Sequence, residues 1–72
     1  MNIARLIDEF TIQGAYHIKV WRSKFSDYET LATGEDFDGE CWKFDDKILT
    51  GRITYMYAAY GVLNIELEEQ EN

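Results

Sequence analysis

The sequence predicts a small α+β domain in which an N-terminal amphipathic helix packs on a four-stranded, mostly antiparallel sheet. Three observations predict this class: helical spacing of apolar residues at the start, alternation of apolar and polar residues in later segments, and glycine-containing turns between them. Seventy-two residues suffice for one domain, spanning 1–72. With 46% apolar and 15% aromatic residues, the chain has enough apolar surface to fold. The predicted order is helix, strand, strand, loop, strand, strand.

The first segment has the spacing of a helix that buries one face. The apolar positions follow the i, i+3, i+4, i+7 pattern and are Ile3, Leu6, Ile7 and Phe10. Asn2 is placed to cap the N-terminus, and Gly14 is placed to end the helix. A helix of roughly ten residues is too short to be stable alone, so we expect its apolar stripe to dock on the sheet.

The next two segments are predicted to form a hairpin. Residues 15–22 alternate, which places two sets of side chains on opposite faces: Tyr16, Ile18 and Val20 against His17, Lys19 and Trp21. Residues 28–33 are rich in threonine and tyrosine and are typical of a second strand. Gly34 is predicted to end that strand.

Residues 35–46 mix aromatic rings with acidic side chains and show no regular period. Gly39 interrupts any repeat within them. We expect a structured loop or a short helical turn, with Phe37, Trp42 and Phe44 closing one end of the core.

The last hairpin has the clearest strand pattern. Residues 51–58 and 62–68 alternate, and a three-residue loop, Ala59-Tyr60-Gly61, is predicted to join them with Gly61 left-handed. The resulting register places all large residues on one face, with the pairs Tyr57–Leu63, Tyr55–Ile65 and Ile53–Leu67. A two-residue loop would shift the register by one and pair tyrosines with glutamates, so it is disfavoured.

This register predicts that Tyr55 and Tyr57 pack in the core together with Tyr16. The polar residues 69–72 that follow the last strand are predicted to be a frayed tail.

The charge is concentrated in the second part of the chain. Residues 27–72 hold twelve acids and three bases, a balance of −9, whereas the whole chain carries −7. Binding to nucleic acid depends on lysine and arginine neutralising phosphates, so direct nucleic-acid binding is not expected. The simpler explanation of the charge is solubility.

The residue types needed for catalysis are scarce. Cys41 is the one cysteine, so no internal disulfide and no cysteine pair for a metal exist. Cys41 also lies next to Glu40, which disfavours a reactive thiolate, and His17 is predicted on a strand surface. The acids 35–46 do not match an EF-hand loop. We therefore predict a protein that is not an enzyme and uses no cofactor or metal.

The chain has no apolar run long enough for a signal peptide or a membrane span. With one cysteine and no disulfide, a reducing cytoplasm is the predicted compartment.

Three large side chains are predicted to be exposed, either because the alternation turns them from the core or because they lie at a turn: Trp21, Met56 and Tyr60. Tryptophan, tyrosine and methionine are enriched in protein interfaces, so these residues are candidates for contact with a partner.

Parts of the sequence resemble a group of small proteins. The strand H-x-K-V-W at residues 17–21, the segment G-E-D-F at 34–37 and the closing Y-M-Y-A-A-Y-G-V-L-N-I-E-L at 55–67 carry the resemblance. They resemble short uncharacterised proteins of phages and mobile elements of Gram-positive gut bacteria, most clearly in the last 25 residues. The resemblance implies a small accessory protein of a phage or integrated element, without catalytic residues.

In that context the acids suggest an inhibitor of a host defence nuclease that mimics nucleic acid, as anti-CRISPR proteins do. Carboxylates would stand in for phosphates in a basic groove of a nucleic-acid-handling enzyme. The predicted acidic surface comprises Asp36, Asp38, Glu40, Asp45, Asp46, Glu66 and Glu68. The alternative is a structural or assembly protein that forms a homodimer through the C-terminal hairpin. A calcium-binding regulatory module is a third hypothesis.

Overall fold

The computed structural model describes residues 1–70 and confirms the predicted α+β class. Its helical elements are α1 (Ile3–Glu9), α2 (Phe37–Glu40), a 3₁₀ turn (Cys41–Lys43) and α3 (Asp46–Leu49). Its strands are β1 (Ala15–Arg22), β2 (Asp27–Gly34), β3 (Ile53–Ala59) and β4 (Val62–Leu67). None of the helices within 1–70 has the length and apolar character to cross a membrane. The predicted tail includes Glu71 and Asn72, which lie outside the described residues.

The four strands form one mixed sheet in the order β2-β1-β4-β3. Two antiparallel hairpins, β1–β2 and β3–β4, lie side by side, and their inner strands β1 and β4 run parallel. The long connection from β2 to β3 makes this possible, because it carries the chain across one face of the sheet to the far edge. The connection contains the short helices, so all helical elements cover the same face as α1.

The start of α1 is as predicted, and its end is not. The Asn2 side chain accepts a hydrogen bond from the Arg5 amide at 2.8 Å, which is the capping role that the sequence predicted. The helix ends at Glu9, so the prediction that Gly14 ends it was wrong. Phe10 is extended (φ −134°) and 56% exposed, and its predicted place in the apolar stripe was also wrong.

The early end of α1 has a physical reason in the residues that follow. Thr11 and Ile12 are β-branched and have a low preference for helix. Ile12, beyond the end of the helix, packs against the core. Gly14 is left-handed (φ +97°), and its carbonyl accepts a hydrogen bond from the Phe37 amide at 2.9 Å. Gly14 therefore shapes the entry to β1.

The core lies between the sheet and the helical elements. Its central members, Ile18 and Ile65, are fully buried on the two inner strands. The buried core cluster comprises Ile3, Leu6, Tyr16, Ile18, Phe37, Phe44, Ile65 and Leu67.

The β2–β3 connection closes one end of this core with two of the three predicted rings. Phe37 and Phe44 are buried, and each meets the Tyr16 ring edge-on at 5.4 and 5.6 Å between centroids. Trp42 was wrongly predicted to join them. It lies on the outer side of the 3₁₀ turn and is 77% exposed, because Cys41 and Phe44 take the inward positions.

The last hairpin has a different register from the predicted one. Tyr60 and Gly61 both have positive φ (53° and 76°), and Ala59 pairs with Val62. The loop is therefore two residues long, and the predicted three-residue loop was wrong. Two-residue loops of this kind are favoured because their twist matches that of the strands.

The shorter loop moves two tyrosines out of the core. Tyr57 pairs with Asn64 and Tyr55 pairs with Glu66, on the face opposite to Ile65. The predicted core positions of Tyr55 and Tyr57 were therefore wrong, whereas Tyr16 is buried as predicted. An irregularity before Tyr55 restores the pairing of Ile53 with Leu67 at the far end.

Candidate functional site

One face of the sheet carries no helix of residues 1–70, and we call it the open face. Alternation along the strands places these larger or polar side chains, among others, on this face: His17, Lys19, Trp21, Tyr28, Thr30, Tyr55, Tyr57, Asn64 and Glu66. None of them is buried, whereas the alternate residues of β1 are. The exposed fractions are 44% for Trp21, 45% for Tyr28 and 60% for Tyr55. An exposed aromatic patch on a domain of this size is typical of an interaction site.

Lys19 lies at the centre of the open face and holds the rings around it. Its Nζ donates a hydrogen bond to the Tyr57 hydroxyl at 2.8 Å. The same atom lies 4.6 Å from the centroid of the Tyr28 ring and 5.2 Å from that of Tyr57. Both distances suit an attraction between a cation and a ring. The hydrogen bond with Tyr57 raises the pKa of Lys19, against the opposing effect of desolvation.

A second set of contacts fixes the outer rings. The interaction of the nearby Glu66 carboxylate with the hydroxyl raises the pKa of Tyr28. The Trp21 and Tyr28 rings meet edge-on at 5.1 Å, and the Tyr55 and Tyr57 rings lie 5.4 Å apart. The four rings therefore have defined orientations before any partner arrives.

The sheet separates the two side chains that could form a nucleophile–base pair. His17 lies on the open face, where a ring nitrogen is 2.8 Å from the Thr30 hydroxyl. Cys41 lies on the helical side, packs against the core and donates a weak hydrogen bond to the Asp38 carbonyl at 3.5 Å. Within residues 1–70, no three His, Cys, Asp or Glu side chains are grouped as metal ligands would be.

The predicted acidic surface is divided between the two sides of the sheet. Its five residues in 36–46 belong to the helical side, where Phe37 and Phe44 anchor the connection in the core. Glu66 lies on the open face, and Glu68 pairs with Arg52 at 3.4 Å. The structure therefore does not bring all seven acids into one surface.

Three of the five acids on the helical side have partners within the chain. Asp36 caps α2 by accepting from the Gly39 amide at 3.2 Å, and Asp45 caps α3 by accepting from the Ile48 amide at 3.0 Å. Glu40 accepts a hydrogen bond from the buried Tyr16 hydroxyl at 3.0 Å. These carboxylates stabilise the connection, in addition to any role that their charge has outside it.

The Tyr16–Glu40 contact is expected to make the stability of the fold depend on pH in the alkaline range. Burial first, and then the hydrogen bond to Glu40, raise the pKa of Tyr16 above its usual 10.0. A raised pKa stabilises the fold fully below pH 10.0, and this stabilisation is lost as the pH rises through the folded-state value. We expect Tyr16→Phe to be less stable at pH 7 and to lose less of its stability above pH 10. Urea unfolding at pH 7 to 11 measures this. Parallel pH profiles for the two proteins would contradict the assignment.

The three predicted aromatic or thioether candidates lie at different places, and all are exposed. Trp21 belongs to the open face. Met56 lies on the edge strand β3, on the same side as Ile65, and is 44% exposed. Tyr60 is at the tip of the last hairpin and is fully exposed.

Sequence reasoning did not find most of the open-face cluster. Tyr55 and Tyr57 were placed in the core by the wrong hairpin register, and Tyr28 and Lys19 were not singled out. For Tyr55 and Tyr57, the signal in the sequence is the pair Tyr60-Gly61. A two-residue turn with glycine in second position sets a register in which both tyrosine side chains lie on the face opposite to Ile65.

Comparison with protein-family models, curated proteins and solved structures gave no match. Function is therefore inferred from the site itself.

Proposed function

We propose that this protein is a non-enzymatic binding protein that docks another protein on the open face of its sheet. The observation that carries the proposal is a set of four rings on a face that no helix of residues 1–70 covers: two of the rings contact Lys19, and each of these two contacts one further ring. Tryptophan and tyrosine are the side chains that contribute most to protein interfaces. Because their neighbours already fix these rings, little side-chain entropy is lost when a partner binds.

The charges favour a partner with a basic surface. The chain carries a net charge of −7, so it attracts basic proteins and repels nucleic acids. On the open face itself, the Lys19 charge is engaged by Tyr57, Tyr28 and the nearby Glu66. The exposed rings of Trp21 and Tyr55 can stack with arginine side chains of a partner. Grooves that bind nucleic acid are rich in arginine, so a nucleic-acid-handling enzyme fits this description.

A second candidate uses the helical side as a nucleic-acid mimic. Asp38 and Asp46 form no side-chain hydrogen bond or ion pair with the described residues, and both lie in first turns of short helices. Two carboxylates that have no structural partner are available to occupy a basic groove. Together with the resemblance to phage and mobile-element proteins, this supports an inhibitor of a host defence nuclease acting in the cytoplasm.

The proposal of a binding protein rather than an enzyme rests on the positions of the reactive groups. The sheet lies between His17 and Cys41, so the thiol has no imidazole beside it to act as a base. A groove of about 200 Å³ on the helical side is lined in part by Val20, Ile48 and Leu67, and neither His17 nor Cys41 lines it.

A capture experiment with four immobilised proteins tests the proposal. The lysate comes from a Gram-positive gut bacterium, and bound proteins are identified by mass spectrometry. Beside the natural protein, the open-face variant combines Trp21→Ser with Tyr55→Ser. Its matched control removes a tryptophan and another ring elsewhere, Trp42→Ser with Phe25→Ser, both of which are highly exposed. The fourth protein, Asp38→Asn with Asp46→Asn, tests the helical side.

The open-face proposal predicts that a basic protein is captured by the natural chain, by the matched control and by the acid variant. It predicts that the open-face variant does not capture this protein. If the open-face variant captures the protein and the Asp38→Asn/Asp46→Asn variant does not, the open-face proposal is contradicted and the nucleic-acid mimic is supported. We expect raised salt to weaken capture, because opposite net charges steer the two proteins together.

A further inference from the structure

One edge of the sheet is unprotected. Strand β3 forms this edge, and residues 53–60 of the sequence, ITYMYAAY, contain no charged side chain in a chain of which 29% of the residues are charged. An edge strand presents unpaired backbone N–H and C=O groups, and proteins usually protect such strands with charges, proline or bulges. The outer side of Tyr55–Ala59 pairs with no strand of residues 1–70.

The opposite edge is protected in the usual way. Strand β2 carries Asp27 and Glu29, and its pairing with β1 is interrupted at Leu31. Charges and irregular pairing in mid-strand both disfavour the addition of a further strand, whereas the irregularity of β3 lies before Tyr55 and leaves the segment Tyr55–Ala59 regular. The two edges of the same sheet therefore differ in their readiness to pair.

The chain itself covers the beginning of the β3 edge. The Ile53 amide donates to the Met1 carbonyl at 2.8 Å, and Asn2 forms a bridge with Arg52. A strand added to this edge must therefore pair with the segment Tyr55–Ala59.

The hairpin register shows which backbone N–H and C=O groups of Tyr55–Ala59 are free to bond to an added strand. A two-residue loop closes on a hydrogen-bonded pair, here Ala59 and Val62, and hydrogen-bonded pairs then alternate with the others. Tyr57 and Tyr55 thus bond to β4. Met56 and Ala58 turn their N–H and C=O groups outward to the edge.

We propose that two copies of the chain pair through β3, antiparallel, about a two-fold axis at Tyr57. In this register Met56 of each copy lies opposite Ala58 of the other, and these outward-facing residues exchange backbone hydrogen bonds. Tyr57 lies opposite its own counterpart in a non-hydrogen-bonded pair. The pairing joins the two sheets into one continuous sheet, with both open faces on the same side.

Three features select a second copy as the occupant. The paired segment is uncharged, so the strands themselves do not repel although each chain carries −7. The half-exposed Met56 side chain meets the small Ala58, which leaves room for it, so the surface is self-complementary as a two-fold interface requires. The protected β2 edges end the assembly at two copies.

Sedimentation velocity tests the proposal from about 10 μM to about 1 mM, a range in which even a weak dimer changes its population. We expect the mass to rise with concentration toward twice the 8.5 kDa of the chain. Met56→Lys adds a charge to the edge and is expected to remain monomeric. Phe25→Lys, the same charge on a distant turn, is expected to dimerise normally. A single monomer mass for the natural protein, or unchanged dimerisation of a folded Met56→Lys variant, would overturn the proposal. Circular dichroism melting of each variant establishes that it is folded.

A cysteine pair tests the register independently. In a Cys41→Ser background, Tyr57→Cys places two Cβ atoms across the axis at about 4.5–5.5 Å, close enough for a disulfide after a small adjustment. Under mild oxidation we expect a disulfide-linked dimer of Tyr57→Cys on a non-reducing gel, at least tenfold faster than for Met56→Cys. Equal or slower linkage of Tyr57→Cys would overturn the proposed axis.

Discussion

Phe37→Ala is expected to lower the free energy of unfolding by about 3–5 kcal/mol, the range for removal of a buried aromatic ring. Phe37 is 2% exposed, and its ring meets Tyr16 and Phe44 edge-on. The loss leaves a cavity between the sheet and the β2–β3 connection. A chain of this length has a total stability on the order of 4–11 kcal/mol, so the variant loses a large share of it.

Urea unfolding followed by circular dichroism measures this change. Trp42→Ala is the matched control, because it removes a larger ring from the same connection at a position that is 77% exposed. We expect the control to change the stability by less than about 0.5 kcal/mol, as exposed positions generally do. Similar losses for the two variants would contradict the assignment of Phe37 as the anchor of the connection.

Trp21→Ala is expected to weaken binding of the partner identified by capture by at least about thirtyfold, which corresponds to about 2 kcal/mol. The indole lies on the open face, 44% exposed, with its ring edge-on to Tyr28. Truncation removes contact area and also one of the contacts that orient the Tyr28 ring, so that more of its order must be gained on binding.

Calorimetric titration of the purified partner gives the affinity of each variant. Trp42→Ala on the helical side is again the control, and we expect it to bind within about threefold of the natural protein, as a residue outside the interface does. An affinity that depends on Trp42 and not on Trp21 would place the interface on the other side of the domain.

The elements that the sequence predicted well are those whose periodicity and capping are local. The Asn2 cap, the alternating residues of β1 and the end of β2 at Gly34 all follow from nearest neighbours in the chain. The buried positions of Phe37 and Phe44 were also predicted. Burial of Trp42 was predicted by the same reasoning and was wrong, because the 3₁₀ turn that directs it outward has no period to detect.

The wrong hairpin register shows where local reasoning fails. Both loop lengths give alternating strands, and the three-residue loop is favoured only if every large residue is buried. Tyr55 and Tyr57 are instead on the open face, where Lys19 from a neighbouring strand supplies their contacts. This neighbour follows from the strand order β2-β1-β4-β3, which pairs strands far apart in sequence.

The candidate site was predicted in part for the same reason. Exposure of Trp21 and Tyr60 follows from alternation and turn position, and it is confirmed. Met56 is also exposed, but its predicted face was wrong: it lies on the side of Ile65 and is exposed because β3 is an edge strand. The acidic surface is predicted from charge alone, which does not show on which face each carboxylate lies. Because Glu66 lies on a strand whose alternate residues are buried, it faces away from the acids of residues 36–46.

The central claim is that partners bind to the open face, and the two tryptophans of the chain allow a direct test. Each gives one indole N–H signal in a ¹⁵N correlation spectrum, with Trp21 reporting on the open face and Trp42 on the helical side. On titration with the captured partner, we expect the Trp21 signal to shift or broaden and the Trp42 signal to stay in place. A change confined to Trp42 would contradict the account and place the binding surface on the acidic, helical side.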